Sequence, residues 1–346
     1  MIRRITVLLV LISAALFTAL SEDSEVYTMT DENGKTITMR LGRMYVGDEY
    51  ISGGNLLYEI VSVDDNERRA VAVCRGEEAQ DTAFVFGAFA EEKKLICMYS
   101  THSDESYIPG DGDFSLEKNA GIYDVGNRFK EHLEKNGFEV EYSEETFLPH
   151  DAGAYRRSRS VAADYAKKNP AAIIDIHRDG IPKEEYETTV DGEKTSMVRL
   201  FVGKSNANAK ENRAFAKQLK AIADEEYPGL VKDIYIGKGN YNQDLFPNAI
   251  LLEFGTHEID KKLVLDSTEY MADVLSAALD GNSSPEEKAK ETKRASGGAF
   301  ALIAIAAGIG ILIVLLATGS LRGAGKKISG SIREMTGGIF SGRKKK

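Results

Sequence analysis

The chain has two cysteines and no tryptophan in 346 residues, and no internal repeat. Cys74 and Cys97 fall in predicted strands, and neither stands at metal-ligand spacing from a partner cysteine, which excludes a cysteine-built metal centre. Two readings remain for them: one disulfide in an exported body, or two buried thiols packed as small hydrophobes. A basic face is also missing. The formal net charge is −10, yet residues 321–346 carry eight cations against Glu334, and Arg3 and Arg4 add two more; residues 21–320 therefore hold −19. A body that acidic is no nucleic-acid binder, because phosphate backbones demand a basic surface. A hydrophobic content of 42% and a charged content of 28% exclude wholesale disorder, and the length allows two globular parts plus appendages.

What is present, first, is an uncharged apolar run near each end. Arg3 and Arg4 precede residues 5–20, the charged and apolar regions of an export signal. No small-x-small pair stands before Ser21, so residues 1–22 read as a signal peptide or an uncleaved N-terminal anchor. Residues 295–321 run 27 positions without a charge, above the ~20 that a membrane-crossing helix needs. Lys293 and Arg294 precede this run, and the larger basic cluster from Arg322 follows it. The positive-inside bias predicts a transmembrane helix at 295–321, a basic cytoplasmic tail at 322–346, and an extracytoplasmic body held at the cell membrane.

Between the runs the patterning changes once. Residues 26–76 alternate as short strands (36–41, 49–51, 56–63, 69–74) broken by Glu32-Asn33-Gly34, Gly53-Gly54 and Asp64-Asp65-Asn66, which predicts a small β-rich unit. Residues 77–92 are charged and alanine-rich and read as a linker or connecting helix. From Leu95 onward, strands at 95–99, 138–142, 171–177, 197–202, 232–236 and 249–253 alternate with helical patterns at 155–168 and 206–226. A first helix carries Ile122, Val125, Phe129 and Leu133, and a last one Met271, Val274, Leu275 and Leu279. That alternation predicts an α/β domain over 93–280, a largely parallel sheet flanked by helices. Residues 281–294 read as a solvated tether.

Four residues stand where those strands end. His102 and Glu105 follow the run 95–99, His177 closes 171–176, and Glu253 closes 249–252. Strand ends on one side of an α/β sheet converge on one crevice. Two histidines and a carboxylate meeting there suit Zn²⁺, and a spare carboxylate can accept a proton from activated water. A single His-x-x-Glu is common by chance, and taken alone His102 reads equally well as a capped loop histidine. Asp175-Ile176-His177-Arg178-Asp179 is more specific. Asp175 or Asp179 is placed to accept the free ring N–H of His177, and the planar fork of Arg178 suits a substrate carboxylate. Glu253 ends a purely apolar strand, a costly position unless a cation, a substrate or a lysine stands opposite. His132 lies on a charged helix face and reads as solvated; His150 and His257 read as supporting residues at most.

The strings Tyr99-Ser100-Thr101-His102, Glu105-Ser106-Tyr107, Asp175 to Asp179, Asn242-Gln243-Asp244-Leu245 and Leu252-Glu253-Phe254-Gly255-Thr256 occur in this order, with Tyr155 and Ser158 between the histidine motifs. Over about residues 93–280 they resemble the stage II sporulation protein P family. The resemblance implies a fold and chemistry related to zinc N-acetylmuramoyl-L-alanine amidases. Zn²⁺ would be held by His102, Glu105 and His177, with Glu253 catalytic and Arg178, Asp179 and Asn242 beside them as substrate-binding or supporting residues. It implies peptidoglycan as substrate and a sporulation cell-wall machinery as the source of protein partners. In the wider superfamily the glutamate ligand opens the first helix, which makes Glu117 the alternative to Glu105. Neither the run at 295–321 nor the unit at 26–76 belongs to the familiar pattern. Two other readings stay open: a zinc carboxypeptidase-like peptidase, which also uses His-x-x-Glu, a later histidine and a distant glutamate, and a non-catalytic membrane-anchored wall-binding protein.

Overall fold

A computed structural model describes residues 25–78 and 94–280 of the chain. The readings on 1–22, on most of 77–92 and on 281–346, the expected membrane helix included, lie outside the described residues. Among those described, no helix is long and apolar enough to cross a membrane.

The N-terminal stretch forms β1 (Val26–Thr30), β2 (Thr36–Leu41), β3 (Glu49–Ile51), β4 (Leu56–Asp64) and β5 (Arg69–Glu77). From Leu95 follow β6 (Leu95–Tyr99), α1 (Gly121–Lys135), β7 (Glu139–Tyr142), α2 (Ala154–Lys167), β8 (Ala172–Asp179), β9 (Glu187–Val190), β10 (Glu193–Ser196), β11 (Val198–Gly203), α3 (Ala209–Glu226), β12 (Val231–Gly237), β13 (Ala249–Thr256) and α4 (Lys261–Asp280). Eleven of these strands make one sheet in the order β2-β1-β5-β4-β3-β12-β11-β13-β8-β6-β7.

That order corrects the expected largely parallel sheet. Between β12 and β7 four of the five pairings are parallel, the exception being β11 against β13. However, β3 pairs antiparallel with β12, so the strands of residues 26–76 extend the same sheet. Taken whole, the sheet is mixed, with parallel and antiparallel pairings in equal number. The cause is connection length. Parallel neighbours need a crossover, which the helices after Leu95 supply, whereas short Asn/Gly-bearing turns can only reverse the chain. Two elements had signals that went unread. β1 continues the alternation of β2, and β9–β10 is a hairpin turning on Asp191-Gly192, both at positive φ as such a turn requires.

Helix α1 presents Ile122, Val125, Phe129 and Leu133 at helical spacing to one sheet face. There they meet Ile174, Ile176, Leu252 and Phe254, together with Leu219 of α3 and Met271 and Leu275 of α4. On the opposite face α2 packs Val161, Ala162 and Tyr165 over Cys97, Tyr99, Ile173 and Ala249. The N-terminal strands fold over that second face too, placing Tyr27, Met29, Met44 and Ile60 against Phe201, Tyr235 and Leu251. Both cysteines are free, Cys74 exposed and Cys97 buried, which removes the disulfide reading.

Candidate metal centre

Along β8 the side chains of Asp175, His177 and Asp179 share one face by the period-two rule, with Ile174, Ile176 and Arg178 on the other. In β13, Glu253 lies directly beside His177 in parallel register. Both strands run beyond these residues, to Asp179 and Thr256, so His177 and Glu253 stand just inside the strand ends expected for them. His102 and Glu105 come from the tight turn after β6, where the Glu105 N–H donates to the His102 carbonyl.

That turn is locked to helix α1. The helix has no side-chain cap of its own at Ala120. Its first free N–H groups are satisfied by the loop: the Gly121 N–H donates to Ser106 Oγ at 3.0 Å and the Ile122 N–H to the Glu105 carbonyl at 3.0 Å. On its other side the turn is held by Asp175, which accepts from the Thr101 N–H (2.9 Å) and Thr101 Oγ1 (2.7 Å). Thr101 Oγ1 also meets Ser158 Oγ of α2 at 2.9 Å, and Asn242 Nδ2 donates to that same Ser158 hydroxyl at 3.1 Å. Four distant segments therefore converge on one turn.

The result is a close group of donors. His102 Nδ1 stands 3.3 Å from Glu105 Oε1, and His177 Nδ1 stands 3.5 Å from Glu105 Oε2. One ligand atom from each of the three residues lies within 4.8 Å of the others. Donors bound at ~2.0–2.1 Å around a tetrahedral zinc ion stand ~3.4 Å apart; the two histidine–glutamate contacts, each to a different oxygen of Glu105, lie close to that edge. Two further observations fit a cation. Glu253 Oε2 is buried without a hydrogen-bond partner. His177 Nε2 lies 3.0 Å from Asp175 Oδ1, which leaves Nδ1 to face the group, though the Nε2 contact is off the line of a hydrogen bond. The residues fit Zn²⁺.

The electrostatics agree. Burial disfavours the charged form of every group here, but its two neighbouring carboxylates, Asp175 and Glu105, hold His177 well above the ordinary histidine range. Burial pulls His102 down, aided by the rings of His150 and His177. Glu105 is held well below the usual carboxylate range despite burial, chiefly by His177 and His102. Glu253 goes the other way: burial, then Asp179, push it up to about 8. The site thus drives two neighbouring carboxylates apart, holding Glu105 ionised and inclining Glu253 to keep a proton.

Of the two parts expected for Arg178, Asp179 and Asn242, substrate-binding or supporting, the contacts made by all three are supporting ones. Arg178 is not a free clamp: its guanidinium donates to the carbonyls of Ser106 (3.0 Å), Asp179 (3.3 Å) and Phe114 (2.8 Å), and its N–H to Glu105 Oε2 (3.0 Å). It fastens the Glu105 loop and leaves no open fork for a substrate carboxylate. Asp179 does not touch the His177 ring but pairs with Arg199 (2.7 Å) and accepts from Tyr186 Oη (3.0 Å), which leaves Asp175 as the ring's neighbour. Asn242, at positive φ, donates to the Tyr155 carbonyl and Ser158 and positions the start of α2. Glu117 is exposed, precedes α1 and stands outside the group, so the alternative ligand falls.

Other residues carried little warning in the sequence. His150 stacks on His102 with ring centroids 3.9 Å apart, and its Nδ1 meets Asp104 Oδ1 at 2.9 Å. Tyr155 stacks on the His177 ring at 6.2 Å and meets the His102 ring edge-on at 5.5 Å. Only tertiary folding joins them. Arg199 had a signal, a cation inside the apolar strand Val198-Arg199-Leu200-Phe201-Val202.

The family model described as stage II sporulation protein P matches residues 55–276, which contain every residue of this centre. The chain belongs to that family. It is 32% identical over 204 residues to stage II sporulation protein P of Bacillus subtilis (strain 168), covering 54% of this chain and 51% of that protein. The chain thus spans about half the length of the curated relative it matches. Among solved structures, N-acetylmuramoyl-L-alanine amidase AmiC2 of Nostoc punctiforme aligns at TM-score 0.35 and 16% identity, over 55% of this chain and 97% of that one. The catalytic domain of CwlV, an N-acetylmuramoyl-L-alanine amidase from Bacillus (Paenibacillus) polymyxa var. colistinus, aligns at TM-score 0.35 and 16% identity, over 54% and 95%. At that TM-score neither alignment carries an argument; the fold and the centre stand on the geometry above.

Proposed function

We propose that this member of the stage II sporulation protein P family is a zinc-dependent N-acetylmuramoyl-L-alanine amidase. It hydrolyses the amide between the lactyl group of muramic acid and the first alanine of the stem peptide, at the outer face of the cell membrane during sporulation. The observation that supports this most is the trio His102, Glu105 and His177, whose ligand atoms lie within 4.8 Å of one another, with the unpartnered Oε2 of Glu253 beside His177.

When bound by His102, Glu105 and His177, Zn²⁺ supplies the Lewis acidity that makes water nucleophilic near neutral pH and polarises the scissile carbonyl. Glu253 takes the proton from the attacking water as the new C–O bond forms, then delivers it to the alanine nitrogen as the C–N bond breaks. In the metal-free site burial and Asp179 raise its proton affinity, and a bound cation would lower it toward the range in which one group can both accept and donate a proton. Asp175 fixes the turn that carries His102 and borders the far side of the His177 ring. The membrane run at 295–321 tethers the body outside the cell, within reach of its polymer substrate, and proteins of a sporulation cell-wall machinery are its partners.

The test is metal analysis of the full chain together with digestion of purified peptidoglycan. Roughly one zinc per chain and the appearance of new N-terminal alanine are expected, both lost in His102→Ala and His177→Ala. Stoichiometric zinc in the double variant would remove the assigned ligands. Release of a C-terminal amino acid in place of new amino termini would make the enzyme a carboxypeptidase.

A further inference from the structure

A second site lies at the far end of the aromatic row that starts at the metal ligands. Tyr155, which touches both histidine rings, packs edge-on against Tyr241 at 5.2 Å. Tyr241 in turn lines a cavity of about 280 Å³ together with Arg40, Arg43, Tyr45, Lys238 and Gly239. Two ring contacts, of 5.5 and 5.2 Å, separate His102 from Tyr241. A peptide extended at ~3.3–3.6 Å per residue covers that interval in about three residues.

The cavity is cationic in a body that is strongly acidic, and its charges are not fully matched. Arg40 lies 4.9 Å over the rings of both Phe201 and Tyr235, and Asp48 beneath offsets its charge. Arg43 is paired with Asp65 at 2.5 Å and stacks on Tyr45. Lys238 is exposed, stands 5.0 Å over the other approach to Tyr45, and pairs with no carboxylate among the described residues. The loop is built to hold this shape. Tyr241 and Asn242 both adopt positive φ, a conformation costly for such residues and concentrated at functional sites. The Tyr241 ring lies so close over Gly239 that no Cβ fits there. Meanwhile the guanidinium of Arg178, the cation nearest the metal centre, is consumed by backbone carbonyls.

We propose that this cavity is a carboxylate subsite: Lys238, with Arg40 and the Tyr45 and Tyr241 rings, binds a free carboxylate of the stem peptide two to three residues beyond the scissile amide. It rests on the amidase reading above. The N-terminal strands thereby take part in substrate selection, since β2 and the loop after it bring Arg40, Arg43 and Tyr45 to a crevice whose chemistry lies on β6, β8 and β13.

The experiment compares two soluble muropeptides, one with its stem carboxylates free and one with them converted to carboxamides, on the zinc-loaded full chain. KM for the free acid should be lower than for the amide by about two- to fivefold, the range an exposed charge contact supplies, with kcat alike. Lys238→Glu should abolish that preference by raising KM for the acid alone, Lys238→Arg should retain it, and salt should shrink it in the wild type. Equal KM for acid and amide in an active wild-type enzyme overturns the subsite and leaves the amidase reading standing. The same holds if Lys238→Glu keeps the preference. Failure of the wild type to cleave either muropeptide overturns the amidase reading, and the subsite with it.

Discussion

Replacing Arg199 by methionine is expected to cost the protein about 3–5 kcal/mol of stability, the toll of leaving a buried charge uncompensated. Arg199 is 1% exposed and spends its guanidinium on three strands at once. It meets Asp233 of β12 at 2.7 and 2.9 Å, Asp179 of β8 at 2.7 Å and Thr38 of β2 at 2.8 Å. Methionine retains the apolar stem, so packing loss is small and the effect is electrostatic. Asp179 keeps bonds from the Gly180 N–H and Tyr186 Oη, whereas Asp233, itself fully buried, loses both contacts to the guanidinium. Most of the loss should therefore trace to Asp233. Urea unfolding followed by circular dichroism gives the change, read as a lower midpoint at unchanged slope. Adding Asp233→Asn to Arg199→Met should restore more than half of it, because the stranded charge leaves with the second substitution. A single-variant loss under ~1 kcal/mol would put Arg199 in the class of exposed ion pairs and refute the reasoning. So would a double variant less stable than the single one.

Glu253→Gln should keep its zinc while hydrolysis falls by ~10²–10⁴; an active variant moves the proton acceptor elsewhere. In the metal-free protein Glu253 is pushed up to about 8, above an unfolded value near ~4.3, so the folded state holds a proton that the unfolded chain has released. That contribution to stability is present at low pH and declines as pH rises toward 8, so metal-free Glu253→Gln should gain on wild type between pH 5 and 8. Thermal unfolding of both across that range reads the sign. Asp175→Asn should weaken zinc binding by ~10–100-fold in competition with a chelator, through the ring and turn it supports; unchanged affinity would detach Asp175 from the centre. Cys74 should react with a thiol reagent in the native protein and Cys97, whose thiol burial pushes up to about 12, only on unfolding. Two fast thiols would contradict the packing around β6.

Much of the candidate centre could be read before the fold was known, because strand patterning is local and buried polar residues break it. A histidine and a glutamate interrupting runs such as Ala-Ile-Ile-Asp-Ile and Ala-Ile-Leu-Leu stand out against the cost of burying polarity. Arg199 broke its strand in the same way. What stayed hidden was pairwise and long-range. Nothing local says that Arg178 turns to the Ser106 and Phe114 carbonyls, or that Asp179 faces Arg199 and not a histidine. The sheet's mixed character was hidden for the same reason: hairpin punctuation in residues 26–76 marks a reversal, but not that β3 would pair across to β12. His150 reaches His102 from a loop 48 positions away, a contact with no periodic trace.

The pairing of β3 with β12 makes the first strands a permanent guard. Without them, β12 would end the sheet, and the stretch that β3 now covers, Ile234-Tyr235-Ile236, would turn unpaired backbone groups outward from a strand that is mostly apolar and buried. Such an edge recruits other strands, those of neighbouring copies included. A chain shortened to begin near residue 93 would keep all of the metal donors and yet trade a closed flank for an adhesive one. Removal of the N-terminal strands should therefore show up first as self-association, before any change in the chemistry of the centre.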